Sequence, residues 1–186
     1  MTTSFPLLDE PLVIEFANTD YLDASGPVDY LGTPELVRGW MDEVCPDRIA
    51  APLGVSANDV RSLLELRRCV RATLDKPLEV KTKALRVIND AARLRPTARL
   101  LVVTESGKPT LAIPPNINDV EHLMTTLADD TISLLTGTVA EVVRTCDRPG
   151  CHMRYLQQHH RRRYCNPRCA SADRQARYNR RRTSAE

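Results

Sequence analysis

The chain has 186 residues, 42% hydrophobic and 4% aromatic, which suffices for one ordinary core and a small appendage. No stretch reaches the roughly 18 consecutive apolar residues needed to span a bilayer, and Met1–Pro11 lacks a basic n-region and an apolar h-region; a cytoplasmic protein without a signal peptide is expected. The formal net charge of +2 conceals an asymmetry: Arg144 to Glu186 holds twelve arginines and three acidic residues, whereas residues 1–143 hold 14 basic and 21 acidic side chains.

Taken in chain order, the apolar run Pro11-Leu-Val-Ile-Glu-Phe-Ala-Asn18-Thr19 reads as a strand or a first helical turn, and periodicity does not decide between them. Asp20 to Thr33 is rich in turn formers and reads as a loop. At Thr33-Pro34-Glu35 a helix starts, with Thr33 as N-cap and Pro34 in the first helical position. It would carry Leu36, Val37, Trp40 and Met41 toward the core. Ser56, with Asp59 three residues on, opens the next helix, which runs to about Leu74 and bears the stripe Val60, Leu63, Leu64, Val70 and Leu74.

A third helix is expected from about Leu78 to Leu94, after Pro77 and before Arg95-Pro96. Arg99–Thr104 and Thr110–Ile113 read as two strands joined through Glu105–Pro109. Asn118 with Glu121 has the pattern of a capping box. It would open a long helix with Val120, Leu123, Met124, Leu127, Leu134 and Leu135 inward, ended by Gly137. The expected fold class is mainly α with a small β-hairpin or sheet, an α+β body over residues 1–140 followed by a zinc finger over 141–186.

Six cysteines without a secretion signal argue against a disulfide framework. Cys45 and Cys69 stand alone and read as small buried thiols without a role. The other four follow the pattern Cys146-x4-Cys151, thirteen residues, Cys165-x3-Cys169. Two such pairs can turn four sulfurs onto one tetrahedral ion, so one structural zinc is favoured over disulfides, redox chemistry or another metal. Asp147-Arg-Pro-Gly150 supplies the turn inside the first pair. Met153–Leu156 and Arg163-Tyr164 are expected as the two strands of a hairpin. The second pair then opens a helix from Pro167 to about Arg182. Knuckle, hairpin and helix in that order make a treble-clef-like finger. Four thiolates close the coordination sphere, which leaves no place for an activated water. His152 is expected to point away from the ion, with His159 and His160 at the hairpin tip.

Arg161, Arg162 and Arg163 fall on that hairpin, and Arg174, Arg177, Tyr178 and Arg181 recur on one face of the final helix. Arg168, Arg180 and Arg182 widen the positive surface. Arginine forks suit phosphates and guanine edges, so double-stranded DNA is the expected partner. A basic end that binds nucleic acid without specificity, and a zinc module for protein contacts, remain alternatives. Only Tyr155, Tyr164 and Tyr178 are aromatic here, which disfavours an RNA- or ribosome-associated role built on base stacking. The body shows no catalytic constellation and no Gly-rich phosphate loop, so no enzyme is expected; an enzyme body with a docking finger is the third reading.

Arg144-Thr-Cys146, Cys151, Arg162-Arg163-Tyr164-Cys165 and Cys169 with its Arg-rich helix resemble the CGNR zinc-finger proteins. The family usually has Trp where Tyr164 stands, and a Cys-Gly-Asn-Arg signature that reads Cys169-Ala-Ser-Ala172 here. Leu12–Thr19 and Leu64-Glu-Leu-Arg67-Arg-Cys-Val-Arg71 resemble the ABATE domain that precedes such fingers. The resemblance implies a stress-induced transcription regulator whose finger binds DNA and whose body senses a signal; a body that senses or forms a homodimer is expected.

Arg67 and Arg71 fall within the apolar stripe of their helix, where a buried guanidinium needs a partner. One reading is an internal ion pair with Glu15 or Asp20, or snorkelling at the stripe's edge. The other is a small anionic ligand bound by Arg67 and Arg71 near Asn18 and Thr19.

Overall fold

A computed structural model describes residues 5–23, 26–44, 54–77, 79–95, 100–112, 120–137 and 142–183. The undecided run after Pro11 is a helix, α1 (Leu12–Ala17), in which all six residues are buried. Its carboxylate is accommodated because Glu15 Oε1 accepts the N–H groups of Leu8 and Glu10, each at 2.8 Å. The stretch expected as a loop is instead a hairpin: β1 (Asp20–Asp23) pairs antiparallel with β2 (Gly26–Asp29). The sequence hid it because Asp20 and Asp29 are register partners, and like charges opposite one another oppose pairing. A guanidinium from another helix neutralises the pair.

Helix α2 (Pro34–Val44) starts where the Thr33-Pro34 signal places it, with Leu36 N–H donating to Thr33 Oγ1 at 3.3 Å. Val37, Trp40 and Met41 are buried and Leu36 is half-buried. Helix α3 (Ala57–Asp75) opens with a full capping box, Ser56 and Asp59 each bonding the other's backbone N–H. Leu66 lies in its buried stripe, while Leu64 is half-buried. Helix α4 (Thr82–Leu94) begins about one turn later than expected. Pro77 serves a turn closed by Glu79 N–H donating to Lys76 O, a position for which its fixed φ is suited.

The expected hairpin forms as β3 (Leu100–Val103) and β4 (Pro109–Ala112), with Gly107 at φ +77° in the connection. All four β3 residues are exposed. Helix α5 (Val120–Thr136) buries Val120, Leu123, Leu127 and Leu134, and Gly137 N–H closes its end on Ser133 O. Cys45, Ile113 and the Asn118 cap lie outside the described residues.

Helices α1, α3, α4 and α5 pack around one core with Phe16, Trp40, Leu63, Leu66 and Leu123 at its centre. Val143 and Leu156 belong to that same core. They come from β5 (Val143–Thr145) and β6 (Arg154–Leu156), which pair antiparallel. This corrects the expected finger hairpin: β6 pairs with the strand before Cys146, not with Arg163-Tyr164. The reason is burial, since the β5–β6 pairing carries two apolar side chains into the body. Helix α6 (Pro167–Thr183) completes the chain. Among the described residues no helix is long and apolar enough to cross a membrane.

Candidate metal centre and nucleic-acid interface

The four cysteines come from three local devices. Cys146 follows β5 directly and donates its N–H to Met153 O at 2.9 Å. Between Cys146 and Cys151 the chain reverses at Arg148–Cys151, with Gly150 at φ +81°, a conformation that costs glycine little. Cys165 and Cys169 flank the start of α6, where Asn166 Oδ1 accepts Cys169 N–H at 2.9 Å. Asn166 directly before Pro167 is an N-cap signal, a second local cause for a helix that Pro167 alone suggested.

The four sulfurs lie within 4.8 Å of one another. Cys151–Cys165 and Cys151–Cys169 are 3.9 Å apart and Cys165–Cys169 is 3.6 Å. Sulfurs about 2.3 Å from one tetrahedral zinc-sized ion stand roughly 3.8 Å apart. The donor set therefore fits a metal ion, and these four side chains would hold it. The Cys151 thiol is drawn down to about 5, first by its hydrogen bond with Cys165, while burial pushes Cys146 up to about 11. The Cys165 thiol is pushed up by that hydrogen bond and by burial. Four thiolates cannot share this volume without a cation.

Arg148 Nη1 sits 3.8 Å from Cys169 Sγ and places a positive charge beside the cluster. Met153 and Tyr155 pack against the sulfurs, joined by Leu8 and Tyr21 of the body. His152, His159 and His160 are exposed, and the last two rings stack at 4.5 Å.

The basic residues divide into two groups. Arg162 lies over the Tyr155 ring at 4.5 Å, donates to Leu156 O and Cys165 O, and pairs with buried Glu10 at 2.9 Å. It is a structural bolt, with its donors spent holding the finger, whereas the other arginines expected on the nucleic-acid surface are exposed. Tyr155 is buried, with its hydroxyl donating to Arg162 O. Arg161, Arg163, Arg168, Arg174, Arg177, Tyr178 and Arg181 are all exposed. Arg163 is tethered to Asp147 at 2.7 Å, and Arg177 to Asp173 at 2.7 Å and the Tyr164 hydroxyl at 2.9 Å. Arg174 donates to Ser171 Oγ.

The remaining sequence-selected residues form the seam between body and finger. Arg67 donates bidentately to Asp29 (both bonds 2.7 Å) and to Thr19 Oγ1 at 3.0 Å, with Asp20 at 3.5 Å. Arg71 donates to Asp20. The internal ion pair thus involves Asp20, one of the two expected partners, plus Asp29, which only the hairpin brings near; Glu15 instead accepts the N–H groups of Leu8 and Glu10. Asn18 does not approach these arginines with its amide; it clamps Arg154, donating to its carbonyl and accepting its N–H, both at 2.8 Å. The Arg154 guanidinium is buried against Asp75, with bonds of 2.8 and 2.7 Å. Glu10 Oε2 also accepts Leu156 N–H at 3.0 Å. Glu10, Asp29, Asp75 and Arg154 carried no sequence signal, because each acts on a residue distant in the chain.

A mainly helical body is thus joined at a polar seam to a four-cysteine centre that could hold a metal ion and to a basic helix. Residues 10–138 match the ABATE family, described as "Putative stress-induced transcription regulator", and the chain belongs to that family. The four-cysteine cluster that follows is consistent with a CGNR-type finger. No curated protein matches the chain.

Proposed function

We propose that the protein is a DNA-binding transcription regulator that holds one structural zinc in Cys146, Cys151, Cys165 and Cys169 and contacts duplex DNA through α6. The observation that carries the reading is the pairing of a closed thiolate shell with an exposed arginine face on the helix that shell anchors. Zinc bound there supplies a rigid cross-link in place of catalysis. Cys169 in the first turn fixes the direction in which α6 leaves the finger.

Arg168, Arg174, Arg177 and Arg181 are assigned to phosphates and base edges, with Arg161 and Arg163 beside them. The Asp173 tether holds Arg177 in one direction, which lowers the entropy lost on docking. Tyr178, 57% exposed, is the one aromatic of the basic region free to meet a base or sugar. Little stacking surface remains, which favours duplex DNA over RNA. The body senses a small anion and forms a homodimer in this reading. The protein works in the cytoplasm, on the nucleoid when bound, and the reading assigns no catalysis.

The test is selection of bound fragments from a genomic library by purified protein of measured zinc content, beside a pool of structured RNA. An enriched duplex motif supports the proposal. Enrichment confined to RNA would replace it with an RNA- or ribosome-associated role, and no enrichment in either pool would reject nucleic-acid recognition.

A further inference from the structure

An open cleft of about 370 Å³ lies where the β1–β2 hairpin, α3 and the segment after Cys151 meet; Tyr21, Val28, Arg71 and His152 are among its lining residues. That is the lower end of the size range for small-molecule sites, roughly 300–1,000 Å³. Its walls differ in chemistry. On one side Pro27, Val28 and the Tyr21 ring form an apolar surface. It is stiff, because Tyr21 stacks on Tyr30 at 5.7 Å and Val28 packs on the body core.

The three arginines of the seam are not equally occupied. Arg67 is buried and spends Nη1 and Nη2 on Asp29 and Thr19. Arg154 spends Nε, Nη1 and Nη2 on Asp75 and His152 O. Arg71, half-buried in the cleft, uses Nη1 on Asp20, its one acceptor among the described residues. Its Nε and Nη2 donors are left for a further acceptor. A planar fork of that kind matches a carboxylate.

We propose that this cleft binds a small monocarboxylate carrying an apolar body. The carboxylate accepts from Arg71 Nε and Nη2 and from His152, and the apolar body lies on Pro27, Val28 and Tyr21. Asp20 and Asp29 also line the cleft. Arg67 and Arg71 pair with them, so a single added carboxylate is tolerated while a second negative charge is repelled, which selects against dianions. The inference rests on the sensing role proposed above. It relocates that role from Asn18, Thr19 and Arg67, which the fold consumes, to Arg71 and a residue of the finger. Because Arg71 belongs to the body and His152 directly follows a metal ligand, one bound molecule touches both parts.

The experiment is calorimetric titration of the zinc-loaded full chain, without DNA, with 3-phenylpropionate, phenylalanine, 3-phenylpropylamine and inorganic phosphate. The expected result is one-to-one binding of 3-phenylpropionate, no binding of the amine, and affinity reduced at least about fivefold, roughly 1 kcal/mol, in His152→Ala. His152→Ala is a safe variant, since the side chain is exposed and only its backbone carbonyl is used. Arg71→Gln should abolish binding. Phenylalanine separates two sources of the carboxylate: binding would extend the class to amino acids, and its absence restricts the class to acids without an ammonium group. Failure of both carboxylates to bind, or equal affinity in His152→Ala, overturns the inference. Phosphate binding unaffected by His152→Ala would overturn it while leaving anion sensing by the body intact; silence from every anion removes both.

Discussion

Asn18→Ala tests how the finger is held. The side chain makes two buried hydrogen bonds, both 2.8 Å, to the N–H and C=O of Arg154. Removing it strands a backbone donor and acceptor in the seam, at a cost of about 1–3 kcal/mol for each unsatisfied group. Some relief comes from water entering the space of the lost amide, so the expected loss is about 2–4 kcal/mol. That is a large share of a total stability of about 5–15 kcal/mol. With a urea slope of about 1–3 kcal/mol per molar, the unfolding midpoint should fall by roughly 1–2 M. Amide exchange adds a local reading: Arg154 N–H should lose protection by about 30-fold or more, the equivalent of about 2 kcal/mol. Asn18→Asp should be no better, because it keeps an acceptor for Arg154 N–H but sets a carboxylate against Arg154 O. An unchanged midpoint with intact Arg154 protection would refute the clamp. Loss of anion binding at unchanged stability would instead restore Asn18 as a ligand residue.

The other expectations concern charge, metal and pH. Replacing Arg174, Arg177 and Arg181 by Ala should weaken duplex binding and lower the salt slope by up to about 0.9 for each phosphate no longer neutralised, measured by titration at several salt concentrations; an unchanged slope rejects α6 as the reader. Arg162→Ala should behave differently, since it leaves buried Glu10 without its partner: thermal unfolding should shift down first, by the equivalent of about 3 kcal/mol, with the salt slope of the folded fraction preserved. Atomic emission should find one zinc per chain. Chelation should melt the knuckle and α6 in circular dichroism while amides of β5 and β6 stay protected by their packing on the body.

Two carboxylates, one buried at Glu15 and one exposed but ion-paired at Asp29, predict opposite pH responses. Burial pushes Asp29 up, but Arg67 and the Leu31 N–H more than offset it, so its carboxyl lies below the ordinary 3.8. Its stabilisation is present above that value and disappears as pH falls through the lower folded one. Glu15 is raised above 4.5, burial outweighing the N–H groups of Glu10 and Leu8. Its ionisation costs stability above the folded value, and acidification toward 4.5 removes that cost. Stability should therefore rise on mild acidification and fall again below about pH 4. Glu15→Gln should flatten the first limb and Asp29→Asn the second; a monotonic profile in wild type refutes the assignment.

Helices α2, α3 and α6 and the cysteine cluster were legible because their causes are local. Ser56 and Asp59 cap α3 within one turn, Thr33-Pro34 opens α2, and four cysteines at short spacing converge whatever the body does. The same locality set the basic face of α6. What tertiary structure alone decided is how those parts are joined. Asp20 and Asp29 look like loop residues until Arg67, 38 positions beyond Asp29, enters between them. Arg162 looks like its neighbours Arg161 and Arg163 until Glu10 takes its charge, and Asn18 looks like a ligand residue until Arg154 arrives from 136 positions away. A buried charge or amide declares in the sequence only that it needs a partner. Which partner it finds is settled by the packing of distant segments, and no periodicity records that.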